Sequence, residues 1–327
     1  RDEALHQRVF GEVREWLETG GWRIDGITQS PITGTEGNVE YLVAALRDGM
    51  AAHPEFAESD IARQREIIEQ VRAPWRKGGP VIPARDIAVP TQHGEVRVRL
   101  FAPPELHRPA PTLIYLHGGG FAVFSLETRD RIMREYAAVA LEETVSVIDW
   151  LAEHGAGEGV DPARLAIGGD SAGANLSLAA ALTLRDRERP SPLRALVLNY
   201  GFFDIDRDTH SNALYGGPDE LLTTEELAGY MADYIRHEAD LRDPLVQPSL
   251  ARLHDLPPSL HIVAECDPLA DSCREMAARM LREGSRAELH VFKGATHSFL
   301  EAVSVSSQAR SAFARTNQWL GEVLGVV

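Results

Sequence analysis

A serine flanked on both sides by glycines two positions away, Gly169-Asp170-Ser171-Ala172-Gly173, stands where a short apolar run gives way to an Ala/Leu-rich stretch. Leu165 to Gly169 reads as a strand and Asn175 to Arg185 as a helix, so Ser171 occupies a strand-to-helix turn. A turn that sharp leaves no room for a Cβ beside the serine, and glycines satisfy that demand. It lifts the hydroxyl above a sheet and points the N-terminus of the next helix at any anion that forms there. The competing reading, an ordinary helix N-cap, needs only a hydroxyl at this position and leaves both glycines unexplained.

Around this turn the chain alternates between strand and helix patterns. Short β-rich runs cover Thr112 to Leu116, Leu165 to Gly169, Ala195 to Tyr200, Leu260 to Ala264 and Ala287 to Phe292. Helical patterns cover Asp130 to Leu151, Thr224 to Ile235, Ala270 to Arg282 and Ser307 to Leu324. Such alternation predicts right-handed βαβ units on a largely parallel sheet. Ahead of it, Asp86 to Pro90 and Glu95 to Ala102 flank Thr91-Gln92-His93-Gly94 as a β-hairpin. Residues 57–76 and 206–246 fall outside this core and are placed to cap it. The second carries a helix entered through Thr223-Thr224, with Glu225 and Glu226 in its first turn.

A nucleophilic serine needs an oxyanion hole, a base and an acid that orients the base. His117-Gly118-Gly119-Gly120-Phe121 directly follows a strand, and its consecutive glycines let backbone N–H groups converge on one point. Of the twelve histidines, His297 is the best base, because it follows the last strand in the loop Lys293 to Phe299. His290 lies within that strand as a packing residue, His261 begins the strand before, and His117 belongs to the glycine loop. The acid should close the preceding strand, which Asp267 does; its rival is Asp204, after the strand ending at Tyr200. Asp267 is preferred because it and His297 terminate adjacent strands.

Composition narrows the alternatives. With 33 Lys plus Arg against 49 Asp plus Glu, the net charge of −16 disfavours nucleic acid or an anionic membrane as a partner. The two cysteines, Cys266 and Cys273, are too few for a disulfide framework and read as buried free thiols. No metal-ligand spacing, phosphate loop or dinucleotide fingerprint is present, so no cofactor is expected. No apolar run approaches a membrane span and the first residues lack a signal-peptide core, so a soluble cytoplasmic protein is expected.

Together, these motifs resemble the hormone-sensitive-lipase family of serine esterases, in particular its bacterial acetyl-esterase branch, over about residues 54–325. Val89-Pro90-Thr91, Val98-Arg99-Leu100-Phe101, Asp130 to Arg134, Asp267-Pro268-Leu269 and Thr296-His297-Ser298-Phe299 extend the likeness beyond the two glycine motifs. The resemblance implies an α/β-hydrolase fold, a mostly parallel central sheet flanked by helices, with a helical cap. It also implies a carboxylesterase acting on small acyl esters, with Ser171 as nucleophile, His297 as base and Asp267 as orienting acid. The oxyanion donors would be the N–H groups of Gly119, Gly120 and Ala172, with Gly118 as an alternative. Rival functions are an amidase or arylformamidase-like hydrolase and a non-catalytic binding protein of the same fold. Phe121, Phe124, Phe202, Phe203 and Tyr215 are either pocket walls that would select short acyl groups or core residues.

The chain departs from that family in two places. Tyr136 to Ala140 runs straight into Leu141-Glu142-Glu143-Thr144, where family members have a core strand and loop of roughly fifteen to twenty residues. Without that strand the hairpin loses its partner and the strand before His117 becomes an edge, a surface suited to a second copy of the chain. The other explanation, a segment omitted from the sequence, is favoured; an intact mass equal to 35.9 kDa would exclude it. Second, residues 6–47 resemble the C-terminal end of haemolysin-A-like ribosomal RNA methyltransferases, without the parts that would bind cofactor or RNA. Residues 1–49 then read as a fusion remnant or as a variable cap extension, and 50–327 as the hydrolase domain.

Overall fold

The computed structural model describes residues 49–56, 59–72, 82–104, 106–121, 137–304 and 306–326. The expectations for residues 1–48, for Phe124 and for the helical start at Asp130 lie outside the described residues.

A helix, α1 (Ile61–Arg72), precedes a hairpin of β1 (Ala84–Thr91) and β2 (Gly94–Phe101). Then come β3 (Ala110–Leu116), α2 (Ala137–His154), β4 (Val160–Asp170), α3 (Ala172–Arg185) and β5 (Leu193–Asn199). Two helices of the connecting segment follow, α4 (His210–Tyr215) and α5 (Thr224–Tyr234). The chain closes with β6 (Ser259–Cys266), α6 (Ala270–Arg282), β7 (Ala287–Thr296) and α7 (Ser307–Leu324).

Strands β3 to β7 form a five-stranded sheet in sequential order, every neighbouring pair parallel. Because the strand order never reverses, right-handed crossovers place α2, α3 and α6 on one face. Helix α7, which follows the last strand, covers the other. The side chains obey the two-residue period this requires. Leu196 and Leu198 of β5 join the core shared with α2, α3 and α6, whereas Ala195 and Val197 join the one under Trp319 of α7. Helix α3 is apolar on nearly all sides, from Ala174 to Leu184, because it lies between the sheet and α2.

Among the described residues the hairpin pairs only with itself, from Ala84↔Phe101 to Thr91↔Gly94, and forms a separate two-stranded sheet. Among the described residues β3 pairs with β4 alone, and Tyr115 on it is 48% exposed. Helix α5 starts where its sequence says it should: Thr223 caps the Glu226 N–H, and the Glu226 carboxylate returns a bond to the Thr223 N–H. Among the described residues, no helix is long and apolar enough to cross a membrane.

Candidate active site

The site lies at the carboxyl ends of the parallel strands, where loops leave the sheet on one side. Register places its parts. Cys266 of β6 is paired with Thr296 of β7, so the next residue on each strand, Asp267 and His297, stand side by side. Leu116 of β3 is paired with Gly169 of β4, which brings the glycine loop beside the serine turn.

Ser171 has φ 54°, ψ −117°, a left-handed conformation that a β-substituted residue enters only when its surroundings enforce it. The enforcement is backbone against backbone. A Cβ built on Gly169 or on Gly173 would fall within 3.0 Å of the Leu116 carbonyl oxygen. The Ser171 N–H donates to the Asn199 carbonyl at 3.0 Å, and its carbonyl accepts from the Phe202 N–H at 3.2 Å. The Ser171 side chain makes no capping bond to α3, unlike Thr223 on α5 or Ser306 on α7. Its hydroxyl is instead 3.1 Å from His297 Nε2, and His297 Nδ1–H donates to Asp267 Oδ2 at 2.8 Å. The second oxygen of Asp267 accepts from the Leu269 N–H at 2.9 Å. With its oxygens turned to donors, this carboxylate fixes both the tilt and the tautomer of the imidazole. The three residues are 8%, 7% and 1% exposed for Ser171, His297 and Asp267, so the chain of bonds is shielded from water. Tyr200 packs edge-on against the His297 ring at 5.0 Å between centroids.

Asp204, the rival acid, belongs to a different contact: it accepts from Ser272 Oγ at 2.6 Å, and burial raises its carboxyl above the usual range. Of the histidines set aside, His261 is fully buried, is 3.1 Å from Ser259 Oγ, and has its pKa lowered to about 3 by burial. His290 accepts from Arg315 at 3.0 Å. Cys273 is buried as expected; Cys266 is only half-buried, because it sits at the strand end beside Tyr215.

A cavity of about 350 Å³ opens above Ser171 and His297. Its floor includes Gly119 and Gly120, and Ala172 is buried at the start of α3. Gly118 lies beneath, its Cα against the Asp170 carboxylate, which also accepts from the Tyr115 hydroxyl at 2.8 Å. The roof comes from Met50, from Ile68 and Arg72 of α1, and from Leu227 and Tyr230 of α5. Arg72 is ion-paired with Glu301, just after the His297 loop, tying the roof to the rim. The proposed aromatic wall divides. Phe202 lines the cavity, whereas Phe203 is fully buried in the core, and Phe121 is stacked on Tyr234. Tyr215 is absent from the lining. Sequence reasoning missed Tyr230, Leu227 and the Arg72–Glu301 pair. The three-residue spacing of Leu227 and Tyr230 behind the capping box was the available signal. Among the described residues no group of acidic, His and Cys side chains could hold a metal ion.

The arrangement can do one kind of chemistry directly. It can take a proton from a serine hydroxyl that already faces a small enclosed space, and return that proton to a leaving group.

Known proteins share this architecture. Residues 138–301 match the family of the alpha/beta hydrolase fold. An acetyl esterase of Salmonella choleraesuis is 35% identical over 268 residues, covering 75% of this chain and 81% of the relative. A hyperthermophilic esterase from the archaeon Pyrobaculum calidifontis is 28% identical with a TM-score of 0.78, over 90% of this chain and 99% of that one. A thermophilic and thermostable carboxylesterase cloned from a metagenomic library is 26% identical with a TM-score of 0.72, over 82% and 99%. The likeness of residues 6–47 to ribosomal RNA methyltransferases is not borne out by these relatives. From the serine turn to the His297 loop, and over four-fifths of a curated relative, the chain belongs to the α/β-hydrolase family in its hormone-sensitive-lipase-like branch.

Proposed function

We propose that the protein is a serine carboxylesterase that hydrolyses short-chain, acetyl-type esters through an acyl-enzyme. The observation that carries this reading is the bonded sequence Ser171–His297–Asp267 opening into a cavity of about 350 Å³. That volume lies near the lower end of ordinary ligand sites, which span roughly 300–1,000 Å³. It suits a small acyl group and a modest alcohol better than a long chain.

In this reading Ser171 Oγ attacks the ester carbonyl carbon while His297 Nε2 accepts its proton. The carbonyl oxygen becomes an alkoxide facing the N–H groups of Gly119, Gly120 and Ala172, with Gly118 as an alternative donor. The C–O bond to the alcohol breaks as His297 returns the proton to the leaving oxygen. A water molecule then gives its proton to His297 and attacks the acyl carbon; the bond to Ser171 Oγ breaks as His297 returns that proton to the serine, and the acid is released. Asp267 stays ionised throughout and stabilises the imidazolium. Helix α1 and the 206–246 segment act as the cap, a role supported by their side chains in the cavity roof.

The test is hydrolysis of p-nitrophenyl esters from acetate to long acyl chains, by the wild type and by Ser171→Ala. Turnover that falls with chain length and vanishes in the variant is expected. No turnover on any ester by the folded protein would overturn the reading and favour the binding-protein alternative. Faster cleavage of a formyl or acetyl anilide than of the acetate ester would replace it with the amide-hydrolase alternative.

A further inference from the structure

We propose that Tyr230, assisted by Tyr234, is a positioning residue that clamps the oxyanion loop, so that cap helix α5 belongs to the catalytic machinery as well as to the roof. This inference rests on the esterase reading above.

Three consecutive residues of the loop have a positive φ: Gly119 at 120°, Gly120 at 56° and Phe121 at 63°. Glycine tolerates this, but a bulky residue holds it only under outside restraint. The restraint comes from one face of α5. A Cβ built on Gly120 would lie within 3.0 Å of three ring atoms of Tyr230, Cγ, Cδ1 and Cδ2. The Tyr230 ring therefore rests on the Gly120 Cα, and no other side chain fits between them. Tyr234, one helical turn on, stacks on Phe121 with centroids 3.7 Å apart and planes 14° from parallel. Phe121 also meets Phe202 at 6.1 Å. Helix α5 is itself anchored by the Thr223–Glu226 box and by Leu227 and Met231 in the core.

The ring face of Tyr230 performs this task, because among the described residues its hydroxyl makes no hydrogen bond. Burial holds that hydroxyl's pKa up at about 12, so it stays neutral at any working pH. The clamp matters because donors to a developing oxyanion act only when already in place; a displacement of about 1 Å can cost on the order of 100-fold in rate.

The experiment compares Tyr230→Phe, Tyr230→Leu and Tyr230→Ala in the full chain. For each, kcat and KM on p-nitrophenyl acetate are measured alongside inhibition by a trifluoromethyl ketone, which forms a hemiketal oxyanion on the serine. Phe should stay within about twofold of wild type, since it keeps the ring. Leu and Ala should lower kcat by about 10- to 100-fold with KM nearly unchanged, and weaken the ketone by a similar factor. The Leu variant keeps apolar bulk, so it answers the question even if Ala unfolds. Loss confined to KM, equal loss in the Phe variant, or unchanged ketone binding would each overturn the clamp. A wild type without esterase activity would instead refute the reading on which the clamp rests.

Discussion

The two halves of the site are supported in different ways. Ser171, Asp267 and His297 stand at the ends of β4, β6 and β7, and their side chains are almost wholly buried. Their mutual distances are set by strand register, which cannot slip by one residue without exchanging the side chains fitted to the two cores. The glycine loop follows β3, whose strand partner among the described residues is β4 alone and whose Tyr115 is half exposed. Its conformation is set from above, by two tyrosines of α5. In the proposed mechanism, proton transfer is thus built into the sheet, while oxyanion binding is entrusted partly to the proposed cap.

The sharpest way to break this contrast is to remove a group on the sheet side. Ser171→Ala should lower kcat by about four orders of magnitude or more, with the thermal midpoint unchanged within a few degrees. Asp267→Asn should come close, at roughly 10⁴-fold, because the amide would hold the imidazole in the wrong tautomer. A modest loss in either would mean the sheet side is less decisive than its geometry implies. Thr223→Ala acts only on the cap side. It removes the α5 N-cap, costs about 1 kcal/mol in urea denaturation, and should lower kcat severalfold through the clamp. Full activity with reduced stability would separate α5 from the chemistry.

A third probe asks whether the sheet side is sensitive to acid. His261 is buried uncharged with its pKa at about 3, whereas in the unfolded chain it would protonate near its ordinary value of about 6.5. The unfolded state therefore binds more protons as pH falls between those values, and stability drops by at most about 1.4 kcal/mol per pH unit from this group. His261→Gln should flatten the dependence of the urea midpoint on pH between 6.5 and 4. An unchanged slope would assign acid sensitivity to other groups. The smallest effect belongs to the rim. Glu301→Gln removes the ion pair with Arg72, both partly exposed, and should change kcat/KM on p-nitrophenyl acetate by no more than about threefold.

Legibility in the sequence followed the same division. Strand ends, the serine turn and the Thr223 cap carry local signatures, because a sharp turn demands glycine and a helix start demands an acceptor. Helices α6 and α7 begin and end where their periodicity places them, Ala270 to Arg282 and Ser307 to Leu324. The cavity wall was not legible. Phe202 and Phe203 are neighbours in sequence, yet one faces the substrate space and the other the core, and no local pattern distinguishes them. The contact of Tyr230 with Gly120 joins residues 110 positions apart through a ring face, which leaves no trace in spacing or composition. The half-exposure of Cys266 likewise follows from where β6 ends rather than from residue type.

The crowding of Gly169 and Gly173 against the Leu116 carbonyl has a consequence for how such a protein can diversify. Ser171 is seated by main-chain atoms that no side-chain replacement can reshape, so the inheritance of this corner is nearly all-or-nothing. New substrates must be accommodated elsewhere, by altering α1 and the stretch from Pro218 to Tyr230, which supply much of the cavity's side-chain lining. A library confined to those two stretches would explore selectivity while leaving the corner that seats Ser171 untouched, with Tyr230 as the single position where the two concerns meet.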